Sequence, residues 1–218
     1  MKRVLLSMGI AMLALASWAQ ANQAADAKPS APSSEQAAIQ LAASLVTYGE
    51  QTQQALPFIQ ALQILKDNPL QAQAMPKEGE TPNKPGTQLL DYNAVLAQAK
   101  AFAAGDAHLL AVIDQIDKNS ERGDITGPNY HEDVVQAGRT DVYTITFRGG
   151  ELAEVGVVGD GDTDLDLYVY DENDNLIAKD IDYGDDCYVS WTPSWTGAFK
   201  IKIKNLGNVY NRYVLITN

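Results

Sequence analysis

The hydrophobic period of this chain changes once, near Gly127-Pro128, and that change limits which folds are open to it. Before this point apolar residues recur at intervals of three and four, which is the spacing of one face of an α-helix. Beyond it apolar and polar residues alternate, as is typical of half-buried β-strands. The sequence therefore predicts an α+β chain in two parts, a small N-terminal helical bundle followed by a C-terminal antiparallel β-sandwich.

The helical region is predicted over residues 35–126. Its first apolar stripe follows the candidate N-caps Ser33 and Ser34, and helical spacing returns over residues 89–104. Several prolines within residues 71–88 predict an exposed loop between these helices. The surface of the region is rich in alanine and glutamine and carries no recognisable chemistry. We therefore expect it to serve packing or interaction.

The β-sandwich region is predicted over residues 130–218, as short alternating strands separated by turn residues. A spacing of about 8–12 residues between such strands is typical of antiparallel sandwiches. In one strand three lysines stand opposite three apolar residues. These are Lys200, Lys202 and Lys204, which alternate with Phe199, Ile201 and Ile203. Such lysines indicate a solvated face or a protected edge strand rather than a binding patch.

The N-terminus carries the features of a secretory signal. Lys2 and Arg3 precede an apolar run that ends in the cleavage pattern Ala19-Gln20-Ala21. A signal peptide is predicted over residues 1–21 and a flexible leader over residues 22–34. The apolar run is too short for a transmembrane helix of roughly 20 residues, and no later run is long enough. We expect a periplasmic or extracellular protein without a transmembrane segment.

The charge of the chain restricts its partners. It has 28 Asp+Glu against 16 Lys+Arg, a formal net charge of −12. Removal of the two basic residues of the signal lowers this charge to −14. Such a balance argues against nucleic acid and against anionic membrane surfaces as partners.

The sequence offers little for catalysis. Cys187 is the only cysteine, which excludes an intramolecular disulfide, and its alternation with Val189 and Trp191 indicates a small buried hydrophobe. A nucleophilic cysteine would need a base, and only His108 and His131 are available, each expected at the surface or in a loop. Neither His-Glu-x-x-His nor Gly-x-Ser-x-Gly occurs. The chain is therefore predicted not to be an enzyme.

An acidic run precedes one of the predicted strands. Its four aspartates, at alternating positions, are Asp160, Asp162, Asp164 and Asp166. Hard oxygen ligands at this density suit Ca²⁺, which takes about six to eight oxygens, and extracellular sites need a Kd of only about 10⁻⁴–10⁻³ M. Asp133, Asp185 and Asp186 are further candidate ligands from neighbouring loops. A solvated loop without metal is the open alternative.

Two other interpretations of the acidic run fail. In a helix-loop-helix Ca²⁺ site counted from Asp160, the sixth position requires glycine and the twelfth glutamate, but Leu165 and Asp171 stand there. A glycosidase needs two carboxylates about 5–9.5 Å apart across a cleft, which a cluster on one strand does not supply by itself.

Three segments, in the expected order, resemble the bacterial pre-peptidase C-terminal domain. They are Asp141 to Phe147, Gly159 to Asp171 and Trp195 to Ile201, joined by Asn205 and Tyr213. The likeness covers about residues 135–218 and none of the helical region. It implies a jelly-roll-like sandwich, often with Ca²⁺ near the acidic loop, which exported proteins, commonly peptidases, carry as an appendage.

The chain departs from that family in two respects. No peptidase motif precedes the module, so a role as an accessory to a protease in the same chain is not supported. The turn Asn173-Asp174-Asn175 lacks the glycine often found there, so Asp174 or a neighbour is expected to adopt a left-handed conformation.

We therefore expect an exported, non-catalytic protein whose Ca²⁺-binding β-sandwich serves stability or recognises a protein or surface polymer, in the envelope or outside the cell. Exposed aromatics on one sheet face would mark such a surface. The candidates are Tyr168, Tyr170, Tyr183, Trp191 and Trp195. Two alternatives stay open: an accessory subunit of an exported enzyme, which would co-purify with it, and a hydrolase, which would need a cleft with converging polar groups.

Overall fold

The computed structural model of the protein describes residues 31–79, 89–118 and 127–218. The predicted signal peptide and residues 22–30 of the predicted leader lie outside these ranges, so both stay predictions. Within the described ranges, no helix is both long enough and apolar enough to cross a membrane.

Four helices lie in the described part of the N-terminal half. They are α1 (Ser34–Thr52), α2 (Ala55–Asp67), α3 (Tyr92–Phe102) and α4 (Ala107–Lys118). The Ser33 side chain caps α1 by accepting a hydrogen bond from Gln36 N at 3.2 Å. Asp91 caps α3 by accepting from Ala94 N at 2.9 Å. Pro57 lies in the first turn of α2, where an N–H has no helical partner to lose.

Nine strands of the described residues form two sheets. They are β1 (Gln71–Ala72), β2 (Asn129–Val135), β3 (Thr140–Phe147), β4 (Ala153–Val158), β5 (Leu165–Tyr170), β6 (Leu176–Asp180), β7 (Asp186–Trp191), β8 (Gly197–Asn205) and β9 (Asn211–Thr217). The five-stranded sheet has the order β1-β2-β9-β4-β7 and the four-stranded sheet the order β3-β8-β5-β6. Every named strand pair is antiparallel except β1 with β2. The predicted α+β class and antiparallel sandwich are confirmed.

The sandwich core lies between the two sheets, and the alternation of the sequence determines which side chains enter it. Leu165, Leu167 and Val169 of β5 are fully buried there. Ile201 and Ile203 of β8 meet them from the neighbouring strand. Because side chains alternate across a strand, the polar and aromatic residues between these positions face outward on the four-stranded sheet.

The helices pack on the outer face of the five-stranded sheet and share an apolar cluster with it. The sheet residues in that cluster are Tyr130, Val158, Val214 and Ile216. Gly156 of β4 lets α1 lie close, because a Cβ at this position would fall 2.2 Å from Gln36 Nε2. No described residue of the four-stranded sheet belongs to the cluster. The described helices therefore do not cover the outer face of the four-stranded sheet.

Residues 71–79, named the edge segment here, connect the two sheets at one side of the sandwich. Gln71–Ala72 pairs in parallel with β2, and Lys77 forms an antiparallel bridge with Tyr143 of β3. Because β2 and β3 belong to different sheets, the segment ties both edges together. The predicted exposed loop is correct for most of these residues, but it missed the strand pairing and the buried Lys77 side chain.

Candidate functional site

Three loops, which follow β4, β6 and β8, meet at one end of the sandwich. The N–H of Gly159 donates to the carbonyl of Asp185 at 3.0 Å, which joins the first two loops. The N–H of Leu206 donates to the carbonyl of Asp164 at 2.9 Å, which adds the third. We name this region the acidic end; it consists of residues 159–164, 181–186 and 206–210. Five of the seven predicted metal ligands lie in it.

Backbone N–H groups hold three carboxylates of the acidic end. Asp160 Oδ2 accepts a hydrogen bond from Arg212 N at 2.9 Å. Asp164 Oδ1 accepts from Gly184 N at 2.9 Å. Asp185 Oδ2 accepts a hydrogen bond from Gly161 N at 2.5 Å. These bonds orient the carboxylates, and each ionised group keeps further lone pairs that a cation can use.

The seven predicted ligands do not form one cluster. Asp166 is buried on β5, where it accepts from the Tyr168 hydroxyl at 2.9 Å. Asp133 lies on β2 with its carboxylate 2.9 Å from Lys77 Nζ. Across the described ranges, no three His, Cys, Asp or Glu side chains are arranged as a metal site. Asp133 and Asp166 lie outside the acidic end and are left out of the candidate site, and the aspartates of the acidic end do not by themselves form a site with three carboxylates.

Two oxygens that sequence reasoning missed lie at or beside the acidic end without a hydrogen-bond partner. Asn211 is fully buried; its Nδ2 donates to Asp185 Oδ2 at 3.2 Å, but its Oδ1 has no partner. The buried Oγ1 of Thr163 has none either. A buried polar atom without a partner is costly, so these oxygens are available to a ligand. Only their burial distinguishes them, and no sequence pattern reports that.

The electrostatics of the acidic end also suit a cation. Burial raises the pKa of Asp186, and the neighbouring charge of Asp185 raises it further. Carboxylate, amide and hydroxyl oxygens are the donors that Ca²⁺ takes in flexible geometry. The residues present therefore fit this ion in donor type.

Tyr168 and Tyr170 of β5 project from the outer face of the four-stranded sheet. Their rings are stacked with centroids 6.4 Å apart. Lys202 Nζ lies 4.4 Å from the centroid of the Tyr170 ring, within the range of a cation–π contact. Lys179 and Lys202 pair across from Tyr168, and Lys200 pairs across from Tyr170. We name these five residues the tyrosine-lysine face.

The strand that carries the three alternating lysines is not an edge strand. β8 pairs with β3 on one side and with β5 on the other, so it is internal to the four-stranded sheet. The prediction of a protected edge strand is therefore wrong. The other predicted role, a solvated face, is the one compatible with the strand order. Lys200 Nζ lies 2.7 Å from Asp174 Oδ1 on this face, as an exposed ion pair.

The other three predicted aromatic ligand residues lie elsewhere. Tyr183 is 96% exposed at the acidic end. Trp191 packs against Phe147 with ring centroids 4.8 Å apart and contributes to the sandwich core. Trp195 is exposed in a loop, and its Nε1 donates to Glu172 Oε2 at 3.2 Å. The five predicted aromatics therefore do not share one face, and only the two tyrosines of β5 do.

Cys187 and the two histidines are not brought together as catalytic groups. Cys187 is buried, as predicted; its thiol donates to Leu165 O at 3.1 Å, and burial raises its pKa. His131 is buried on β2, so its predicted place in a loop or at the surface is wrong. His108 is exposed on α4. A buried thiol with a raised pKa is a poor nucleophile.

A further polar cluster, also missed from the sequence, lies inside the sandwich beside the edge segment. Lys77 Nζ lies 2.9 Å from Asp133 Oδ1 and 3.0 Å from Asp141 Oδ2. The Tyr213 hydroxyl lies 2.8 Å from Asp141 Oδ2, and the Tyr143 hydroxyl 3.0 Å from Asp133 Oδ2. The two hydroxyl oxygens are 2.5 Å apart. We name these five residues the inner polar cluster.

Comparison with known proteins gives only distant likenesses. No protein-family model matches the chain. No curated protein matches it either. The pre-peptidase C-terminal domain of collagenase from Bacillus anthracis is 17% identical with a TM-score of 0.35, over 42% of this chain and 89% of that chain. PliG from Aeromonas hydrophila, a periplasmic inhibitor of g-type lysozyme, is 12% identical with a TM-score of 0.35, over 42% and 84%. A mitogen from Yersinia pseudotuberculosis is 16% identical with a TM-score of 0.34, over 43% and 86%. The function is therefore argued from the residues themselves.

Proposed function

We propose that this is an exported, non-catalytic protein that binds a surface polymer or protein through the tyrosine-lysine face. The observation that carries the proposal is the stacked pair of Tyr168 and Tyr170, partly exposed beside three lysines on the outer face of the four-stranded sheet. Tyrosine combines a large apolar ring with a polar tip, which suits a surface that is wet when free and covered when bound.

The geometry of the face favours recognition over a purely solvated role. Lys202 is held over the Tyr170 ring, so both side chains are ordered before a ligand arrives. Ordering a side chain on binding costs about 0.5–1.5 kcal/mol, and a preordered face avoids part of that cost. Lys200 is paired with Asp174, but Lys179 and Lys202 also place positive charge on this face of an acidic chain, which directs a partner there.

We expect Tyr170→Ala and Lys202→Gln each to weaken binding by about tenfold or more, since Tyr170 would be the aromatic anchor of the interface and Lys202 lies over its ring. Cosedimentation of the purified protein with the insoluble envelope fraction of its own cells measures this. Tyr183→Ala is the matched control, because it removes a more exposed tyrosine from a different part of the surface. If both variants of the tyrosine-lysine face sedimented as the wild type does and Tyr183→Ala did not, the binding surface would lie at the acidic end instead.

Ca²⁺ is the proposed ligand of the acidic end. Because no three carboxylates of the described residues are arranged as a metal site, Asp185 would supply the carboxylate oxygens, and Asn211 and Thr163 would supply the neutral oxygens that lack partners. The ion would balance part of the negative charge that three converging loops concentrate there. In this role it stabilises the sandwich and takes no part in a reaction.

We expect millimolar Ca²⁺ to raise the melting temperature of the protein. At a free concentration of 100 times Kd the gain in unfolding free energy is about 2.7 kcal/mol, and Mg²⁺, which demands tighter octahedral geometry, gives less. Asp185→Asn reduces the gain. Glu151→Gln, in the turn at the opposite end of β4, leaves it unchanged. Identical melting curves in EDTA and in Ca²⁺, with a flat calorimetric titration, would leave the acidic end as solvated loops.

A further inference from the structure

The inner polar cluster brings an amine and two carboxyl groups into contact inside a β-sandwich. The side chains of Lys77 and Asp141 are 9% and 10% exposed, and that of Asp133 is 26% exposed. We propose that Lys77 Nζ and the carboxyl group of Asp141 condense into an isopeptide bond, with Asp133 transferring the protons. Groups held in contact in this way react as one molecule, without the entropy loss of an encounter.

The inner polar cluster has one more oxygen–oxygen contact than it has hydroxyl protons. Three oxygen–oxygen contacts run from Asp141 through Tyr213 and Tyr143 to Asp133, at 2.8, 2.5 and 3.0 Å. Each contact needs one proton, and the two tyrosines supply two. The third proton must therefore be on the carboxyl group at one end of this chain of contacts.

We assign this proton to Asp141, because it is the one of the two carboxyl groups whose pKa is raised. Burial raises the pKa of Asp141 and outweighs the hydrogen bonds that it receives. Burial also acts to raise the pKa of Asp133, but the nearby His131 ring, Lys77 and the hydrogen bond from the Val134 N–H hold it well below its usual range. A neutral carboxyl group is the form that an amine attacks. The Asp133 carboxylate is a weak base, but it is ionised and in contact with the ammonium group whose proton must leave.

The reaction balances within the cluster. Burial acts to lower the pKa of Lys77, but its two aspartate partners raise it, so Lys77 begins as an ammonium ion. It gives one proton to Asp133, 2.9 Å away, and the freed amine attacks Cγ of Asp141. A C–N bond forms, the C–OH bond breaks, and the hydroxyl leaves as water with a proton that the nitrogen releases. The products are a neutral amide, one water and protonated Asp133.

Two features of the structure favour this product. The reaction replaces a buried ion pair with neutral groups, which removes the penalty for keeping two charges out of water. It also joins the edge segment to β3 across 64 residues of sequence, which restricts the unfolded chain as a disulfide would. The single Cys187 cannot provide such a link within one chain.

Intact-mass spectrometry of the folded, purified protein tests the proposal. The wild type should be lighter than its sequence by one water molecule. Tandem spectrometry of a digest should find the Lys77 peptide joined to the Asp141 peptide. Localisation matters because an Asp-Gly pair such as Asp160-Gly161 also loses water when it forms a succinimide. A full-sequence mass, or a water loss that maps to another pair, would overturn the proposal.

Variants separate the cross-link from the fold. Lys77→Arg keeps the positive charge but lacks the amine, so it should show the full mass, and Asp133→Asn should leave most molecules unlinked. Lys200→Arg is the matched control: it alters an exposed lysine–aspartate pair with the same kind of contact and should keep the wild-type water loss. Loss of water in Lys77→Arg would also contradict the proposal. If Lys77→Arg does not fold, the wild-type mass and the digest still decide.

Discussion

A fragment that begins at Gly127 and ends at Asn218 fails to fold cooperatively on its own, although the sequence predicts residues 130–218 as a separate unit. The fragment exposes the outer face of the five-stranded sheet. The side chains uncovered are those of Tyr130, Val158, Val214 and Ile216. Burial of one such side chain contributes about 1.5–3 kcal/mol. Their sum is comparable with the whole stability of a typical domain, about 5–15 kcal/mol.

The same fragment lacks Lys77, which adds a second loss. Asp133 then keeps its charge without the Lys77 amine, and removal of one partner of a buried ion pair costs about 3–5 kcal/mol. The parallel pairing of β1 with β2 is lost too, which leaves β2 at the edge of its sheet. Both losses act on the same strand.

Circular dichroism and urea unfolding of two fragments measure this effect. One begins at Gly127, and the matched control begins at Ala31 and keeps the helices and the edge segment. We expect a cooperative transition only in the longer fragment. A transition in the short fragment close to that of the control would show that the sandwich is independent, as its sequence pattern indicates.

The sequence predicts the elements of the fold because hydrophobic period is a local property. The burial of Leu165, Leu167 and Val169 follows from their alternation alone. The positive φ of 60° at Asp174 follows from a turn without glycine. Pro57 lies in the first turn of its helix, one of the two outcomes that its missing N–H allows. Each of these features needs only a few neighbouring residues.

The candidate sites were harder to predict because they depend on which strands are neighbours. Alternation shows that Lys200 and Lys202 share a face, but only the strand order places them beside Tyr168 and Tyr170. Aspartates that form one run in the sequence are also divided between a loop and a strand. Asp166 lies within β5, whereas the earlier aspartates lie in the loop before it.

The inner polar cluster shows the same limit more strongly. Lys77 lies in a segment whose sequence predicts a loop, and 64 residues separate it from Asp141. A lysine in a polar loop carries no sign of burial, because long charged side chains are mostly solvated. Only the crossing of the edge segment between the two sheets turns this side chain inward.

Glu132 makes the stability of the protein fall as the pH rises toward 8. This side chain lies on the outer face of β2, where its Oε1 accepts from Leu90 N at 3.2 Å. Burial raises its pKa from 4.5 to about 7; Glu50 raises it too, while the Leu90 and Leu89 N–H groups and Arg212 lower it. The folded state therefore binds the proton more tightly than the unfolded state between these two values.

The sign of the effect follows from that difference. The contribution of Glu132 to stability is complete below the unfolded pKa of 4.5 and is lost as the pH rises through about 7. One pKa unit corresponds to about 1.4 kcal/mol, so the loss is on the order of 3 kcal/mol.

Glu132→Gln keeps the acceptor for Leu90 N and has no charge to bury. At about pH 8 we expect the unfolding free energy of this variant to exceed that of the wild type by on the order of 3 kcal/mol. Urea unfolding at about pH 5 and about pH 8 measures the difference. Glu151→Gln, which changes an exposed glutamate, should follow the wild type at both values. Parallel loss of stability in the wild type and in Glu132→Gln would assign the pH dependence to another group.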